Sequence, residues 1–170
     1  MKTFVDLASE RYSVRSYGSK PIEPEKLALV LEAGRIAPTA CNNQPQRIKV
    51  ITASEELAKV DQCTPCRFGA PAVLLVCYDK SVCWKREFDG ASSGEVDASI
   101  ITTHMMLAAQ DLGLGSCWVM YFDPVKTIEL FALPDTIVPV AMLPVGYPAK
   151  DAAASEGHLN RLPLEKILFK

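Results

Sequence analysis

Two histidines, His104 and His158, are all the chain contains, so a Ser-His-Asp or Cys-His mechanism has few options. A G-x-G-x-x-G after a strand, a P-loop, a G-x-S-x-G elbow and an H-E-x-x-H are all missing, which removes the common dinucleotide, nucleotide, esterase and zinc-protease signatures. No basic run interrupts a net charge of -2, so nucleic acid and anionic membrane surfaces are not expected as partners. No apolar run is long enough to span a bilayer, and the opening MKTFVDLASERYS is too polar for a signal peptide. A cytoplasmic location is therefore expected. Internal repeats, low-complexity tracts and linkers are also absent. What remains is 170 residues, 49% hydrophobic and 22% charged, enough for one domain with a real core or for one half of an intertwined dimer.

The six cysteines fit a reducing compartment. Cys77 and Cys117 sit in apolar, strand-like runs, where a free thiol behaves as a small hydrophobe. Cys63-Thr-Pro-Cys66 has the spacing of a redox pair or half a metal site. No second C-x-x-C follows, and alternation along its strand separates Cys77 from the others. No metal is expected.

The stretch Ser92–Phe122 organises the rest. Ser92-x-x-Glu95 has capping-box spacing. Ile101, Met105, Ala108 and Leu112 then recur at helical spacing, and Ile100, Met106, Leu107 and Ala109 leave little polar face. Such a helix belongs in a core or a subunit interface, and His104 within it reads as a hydrogen-bonded core residue. Gly113 and Gly115 stop it and Ser116–Met120 reads as extended, so the glycines either cap a core helix or bring backbone N–H groups to a flat ligand.

Elsewhere, Thr3 caps a short helix through Glu10, and Pro24 opens an amphipathic helix with Leu27, Val30, Leu31 and Gly34 inward. Strands are expected at 47–52, 72–78 and 138–145, the second of them central, with short helices at 54–60 and 123–131. Alternation places Arg11, Ser13 and Arg15 on one face, either a phosphate clamp or a solvated basic edge. Pro38–Gln46 is a proline-bracketed loop. Asn42 and Gln44 there offer amides that both donate and accept, as reading a heterocycle edge requires, or serve an Asx-type turn. Asp79–Gly90 carries Trp84, Lys85, Arg86 and Phe88, a lid over a site or an interface contact. The terminal run Leu164–Phe169 is apolar and needs a surface, a partner subunit being one.

Taken in order, Arg11-Tyr12-Ser13-Val14-Arg15, Ala37–Pro45, Leu112–Trp118, Gly146-Tyr147-Pro148 and Arg161 resemble the nitroreductase family of FMN enzymes over nearly the whole chain. The resemblance implies residues 1–170 as a single FMN-binding domain. Its fold would be α+β, a mixed, largely antiparallel sheet flanked by helices in an intertwined homodimer with FMN at the subunit interface. It implies that Arg11, Tyr12, Ser13, Arg15 and Arg161 approach the phosphate and ribityl chain. Pro38, Thr39, Asn42 and Gln44 would approach the flavin, partly from the other subunit. Trp118, Val119, Met120 and Tyr121 would run along the ring, their N–H groups reaching N5. No side chain is expected to act as a catalytic acid, base or nucleophile. The implied activity passes hydride from NAD(P)H to a small electrophilic acceptor such as a nitroarene or quinone. Rival readings are a flavin-fragmenting or flavin-carrying relative and a non-enzymatic dimer with redox-sensing cysteines. Against the family pattern, Gln46 stands where Trp is common, Met120-Tyr121 where a glycine is common, and Cys63–Cys66 where larger relatives carry an Asn.

Overall fold

The structure, a computed structural model, describes residues 3–169. Thr3 does cap α1 (Phe4–Glu10): its hydroxyl accepts from the Asp6 N–H at 3.2 Å, and the Asp6 carboxylate accepts from the Thr3 N–H at 2.9 Å. Pro24 opens α2 (Pro24–Arg35), as its fixed φ favours. The remaining elements are β1 (Gln46–Ile51), α3 (Ser54–Cys63), β2 (Ala72–Asp79), α4 (Gly94–Asp111), β3 (Gly115–Ser116), α5 (Pro124–Phe131), β4 (Ile137–Gly146) and α6 (Leu164–Ile167).

The four strands pair in the order β1-β2-β4-β3, each pair antiparallel. One parallel bridge, Ser13 to Ser116, adds the extended Arg11–Tyr17 segment to the β3 edge. The expected α+β fold with a mixed, largely antiparallel sheet is therefore present. β2 is central and separates two apolar cores by alternation. Leu74 and Val76 face α2 and α4, while Val73, Leu75 and Cys77 face α3 and α5. Burial pushes the Cys77 thiol up to about 12, so it stays protonated and packs as a hydrophobe.

Helix α4 departs from the expected start. Its N-cap is Ser93, and Ser92 Oγ accepts from the Gly94 N–H at 3.2 Å, while the Ser93 hydroxyl donates to Asp97 at 2.7 Å. No capping box joins Ser92 to Glu95: the N-cap falls one residue later, at Ser93, and Ser92 Oγ bonds the Gly94 N–H instead. At the far end Gly113, at φ +74°, ends the helix, as an L side chain would do only under strain. Gly115 serves a different purpose: a Cβ there would sit 2.5 Å from Val14 Cγ2, so the missing side chain lets the Arg11–Arg15 segment lie against the sheet edge. The glycines thus cap a helix and admit a neighbouring strand. No helix among the described residues is long and apolar enough to cross a membrane.

Candidate functional site

Val14 is fully buried and its N–H donates to the Ser116 carbonyl at 3.0 Å, which fixes the rotation of the segment around it. Ser13 and Arg15 consequently face the other way. The Cys117 thiol reports the cluster. Burial raises its pKa, and Arg15, the Ser13 hydroxyl and Arg11 pull it back down. Arg11, Ser13 and Arg15 therefore converge at the β3 edge, as the alternation predicts. Tyr12 does not join them. Its ring meets His158 edge-on at 6.2 Å, and its hydroxyl lies 3.5 Å from the Ala152 carbonyl, so it packs the tail. Arg161 lies on that same tail, three residues beyond His158, with its guanidinium on the Asn160 carbonyl at 2.9 Å.

The chain has seven arginines. Four pair with carboxylates: Arg35 with Glu32, Arg67 with Asp61 and Arg86 with Asp89, each at 2.6 Å, and Arg47 with Asp79 at 3.4 Å. Arg11, Arg15 and Arg161 form no ion pair among the described residues. These three cations are available to an anion.

Beyond β3 the edge continues through Val119, whose backbone exchanges 2.9 Å hydrogen bonds with Met142. Neighbouring backbone groups of a strand point to opposite sides, so the Trp118 and Met120 N–H groups point away from β4. Neither they nor the Tyr121 N–H has a partner among the described residues. Ser116 Oγ and Trp118 Nε1 are buried polar atoms without a partner among the described residues. Val119 gives only its backbone, its side chain being 4% exposed in the core; Met120 and Tyr121 are 68% and 76% exposed. A cleft of about 370 Å3 runs beside them, lined by Cys63, Pro65, Met120, Tyr121, Phe122 and Asp123. The C-T-P-C segment thus flanks the site, with Cys63 buried at the end of α3 and Cys66 half-buried near Cys117.

The second set of residues lies elsewhere. Pro38–Gln44 is held at the start of α4 by Asp97, whose Oδ1 accepts from the Ala40 N–H at 2.9 Å. Thr39 Oγ1 accepts from the Gln44 N–H at 3.1 Å. Cys41, Asn42 and Gln44 all have φ between 50° and 54°, a conformation that costs about 1 kcal/mol or more for each non-glycine residue. Asp97, 2% exposed, holds this loop in place, a role the sequence did not reveal. Nothing in the sequence sets it apart from Glu95 and Asp111 of the same helix except its place four residues after Ser93. Trp84 and Arg86 join this loop in lining a cleft of about 430 Å3 with Ala40, Val96 and Ile100.

Topology sets the distance between the two groups. Gln46 pairs with Tyr78 and Tyr78 with Val138, whereas Ser116 pairs with Val145. Three strand spacings across and seven residues along place them about 25 Å apart, at opposite corners of the sheet. That is further than a single mononucleotide reaches.

The sequence model of the nitroreductase family matches residues 8–66 and 65–147. A Methanothermobacter thermautotrophicus protein, provisionally named NADH dehydrogenase/NAD(P)H nitroreductase, is 30% identical over 92% of this chain and 83% of its own. The structure of a nitroreductase family protein from Clostridium difficile is similar at 44% identity and a TM-score of 0.93, covering 99% of this chain and 98% of that one. A Desulfovibrio desulfuricans protein, provisionally named a nitroreductase and solved in complex with FMN, has a TM-score of 0.85 at 27% identity, covering 100% of this chain and 97% of that one.

Proposed function

The chain belongs to the nitroreductase family, and we propose that it is an FMN-dependent oxidoreductase that draws on NAD(P)H and passes electrons to a small electrophilic acceptor, a nitroarene or quinone. One observation carries the reading: among the described residues three arginines have no acid, and two of them lie beside a sheet edge where the Trp118, Met120 and Tyr121 N–H groups have no partner. Guanidinium forks match phosphate oxygens. The free N–H groups, Ser116 Oγ and Trp118 Nε1 offer donors and an acceptor where a flat heterocycle would lie. The residues present therefore fit FMN, with Arg11, Ser13 and Arg15, joined by Arg161, on its phosphate and ribityl end and Trp118–Tyr121 along its ring.

When bound, FMN supplies the two-electron chemistry between nicotinamide and acceptor. The protein binds, orients and shields it. Two copies are part of the proposal, because the Pro38–Gln44 loop is too far from the arginines of its own chain to meet the same flavin. In a homodimer the loop of one copy, with its Asn42 and Gln44 amides, completes the site built on the other. Trp84 and Met120-Tyr121 then border a single open slot and select the acceptor. Donor and acceptor take turns in that slot.

Purified protein should be yellow and release FMN, not FAD, on denaturation. Initial rates with NAD(P)H and a quinone both varied should give parallel double-reciprocal lines. A colourless preparation that cannot be reconstituted with FMN would overturn the cofactor reading. Intersecting lines would reject the shared slot, and flavin binding without NAD(P)H oxidation would favour a flavin-carrying protein.

A further inference from the structure

Thr64 sits between the two cysteines of the C-T-P-C segment and is 3% exposed. Its hydroxyl donates to the Tyr121 carbonyl at 2.5 Å and accepts from the Cys66 N–H at 3.0 Å, so both its hydrogen-bonding roles are used. Two further bonds surround this contact: the Asp123 N–H donates to the Cys63 carbonyl at 2.9 Å, and the Phe122 N–H turns back to the Met120 carbonyl at 3.0 Å. The carbonyls of Met120 and Tyr121 are thus both engaged. Their N–H groups are the donors left over. We infer that Thr64 is a positioning residue: by clamping the Tyr121 carbonyl, it holds the Met120–Tyr121 backbone so that its free N–H groups face the redox end of the cofactor.

The inference rests on the FMN reading above. A preorganised donor stabilises most the state in which charge develops opposite it, and reduction adds electron density to the ring. The clamp therefore matters more for the reduced cofactor than for the oxidised one. Removing the hydroxyl leaves the Tyr121 carbonyl and the Cys66 N–H without partners and frees the turn to rotate. No substrate needs to touch Thr64 for this to act.

The test compares wild type with Thr64→Val, which keeps the shape and removes the hydroxyl, and Thr64→Ser, which keeps the hydroxyl. FMN affinity is measured in the oxidised state and the midpoint potential by equilibration with a reference dye, with thermal unfolding as the folding control. Thr64→Val should bind oxidised FMN within about threefold of wild type but reduced FMN about tenfold more weakly. A tenfold selective loss is a midpoint about 30 mV more negative for a two-electron couple. Thr64→Ser should restore the wild-type potential. If Thr64→Val does not fold, Thr64→Ala, which adds no apolar branch beside the stranded carbonyl, is measured in its place with the same expected shift. A folded hydroxyl-free variant with the wild-type potential, or a folded Thr64→Ser that fails to restore it, overturns the inference while leaving FMN binding intact. A wild-type chain that takes up no FMN overturns the cofactor reading and this inference together.

Discussion

A guanidinium without a carboxylate stands out in a chain with 20 acidic residues against 18 basic ones. Arg35, Arg67 and Arg86 show the ordinary outcome, in which an acid a few residues away closes a bidentate or near-bidentate pair. Arg11 and Arg15 are kept from it because Val14 anchors the segment at the sheet edge, where the Arg15 guanidinium reaches only the Ser13 carbonyl, at 3.3 Å, among the described residues. A charge-assisted bond to phosphate contributes about 1.5–3 kcal/mol. Arg15→Ala should therefore weaken FMN binding by about tenfold or more, read by flavin fluorescence on titration of the apoprotein, with little change in thermal unfolding. Unchanged affinity would remove Arg15 from the clamp. At this scale the sequence was informative where chemistry and alternation coincide, as in Arg11-x-Ser13-x-Arg15. It was uninformative for the bonds of Thr64 to Tyr121 and of Asp97 to Ala40, each 57 residues along the chain.

Among elements, the close pairing of the Arg11–Tyr17 segment with β3 depends on Gly115. A methyl group there would meet Val14 Cγ2 at 2.5 Å and Pro148 Cγ at 3.0 Å. Overpacking of this kind costs about 1–3 kcal/mol. Gly115→Ala should lower the unfolding temperature and loosen FMN together, because the segment that shifts carries the arginines. Calorimetry and flavin titration on the same preparation check both. A variant that lost stability alone would show that the clamp does not depend on this packing. Strong apolar patterns made the elements readable, so β2, β4 and α2 lie close to where periodicity puts them. Helix α3 runs to Cys63, past the expected end at Val60, because Val60 and Cys63 share the buried face. The Ser92 capping box fails because the N-cap falls one residue later, at Ser93, whose hydroxyl donates to Asp97 on the next turn. β3 shrinks to two residues because beyond Ser116 the contact with β4 thins to one Cys117 N–H bond to the Pro144 carbonyl, a residue with no N–H to return, and an isolated bridge at Val119.

At the scale of the molecule, the two residue groups were both visible as motifs, yet their separation was not, since it follows from strand order. Two apolar surfaces accompany that separation. Leu164, Ile167, Leu168 and Phe169 are 67%, 63%, 64% and 96% exposed on the tail. A groove of about 550 Å3 lies between α1 and α4, lined by Phe4, Leu7, His104, Leu107 and Ala108. His104 there bonds the Ile100 carbonyl at 2.9 Å and is half-buried, a groove wall and not the core residue that its setting suggests. Exposed apolar surfaces of this kind are what the proposed homodimer would cover. Subunit mixing tests most directly whether each FMN is shared between two copies. An Arg11→Ala/Arg15→Ala chain lacks the clamp, and an Asn42→Ala/Gln44→Ala chain lacks the loop amides, so each homodimer should hold FMN poorly. Refolded together, they should form heterodimers with one doubly damaged site and one intact site, restoring tight binding of one FMN per heterodimer. Heterodimers that bind no more FMN than the two parents would contradict a site built from both chains.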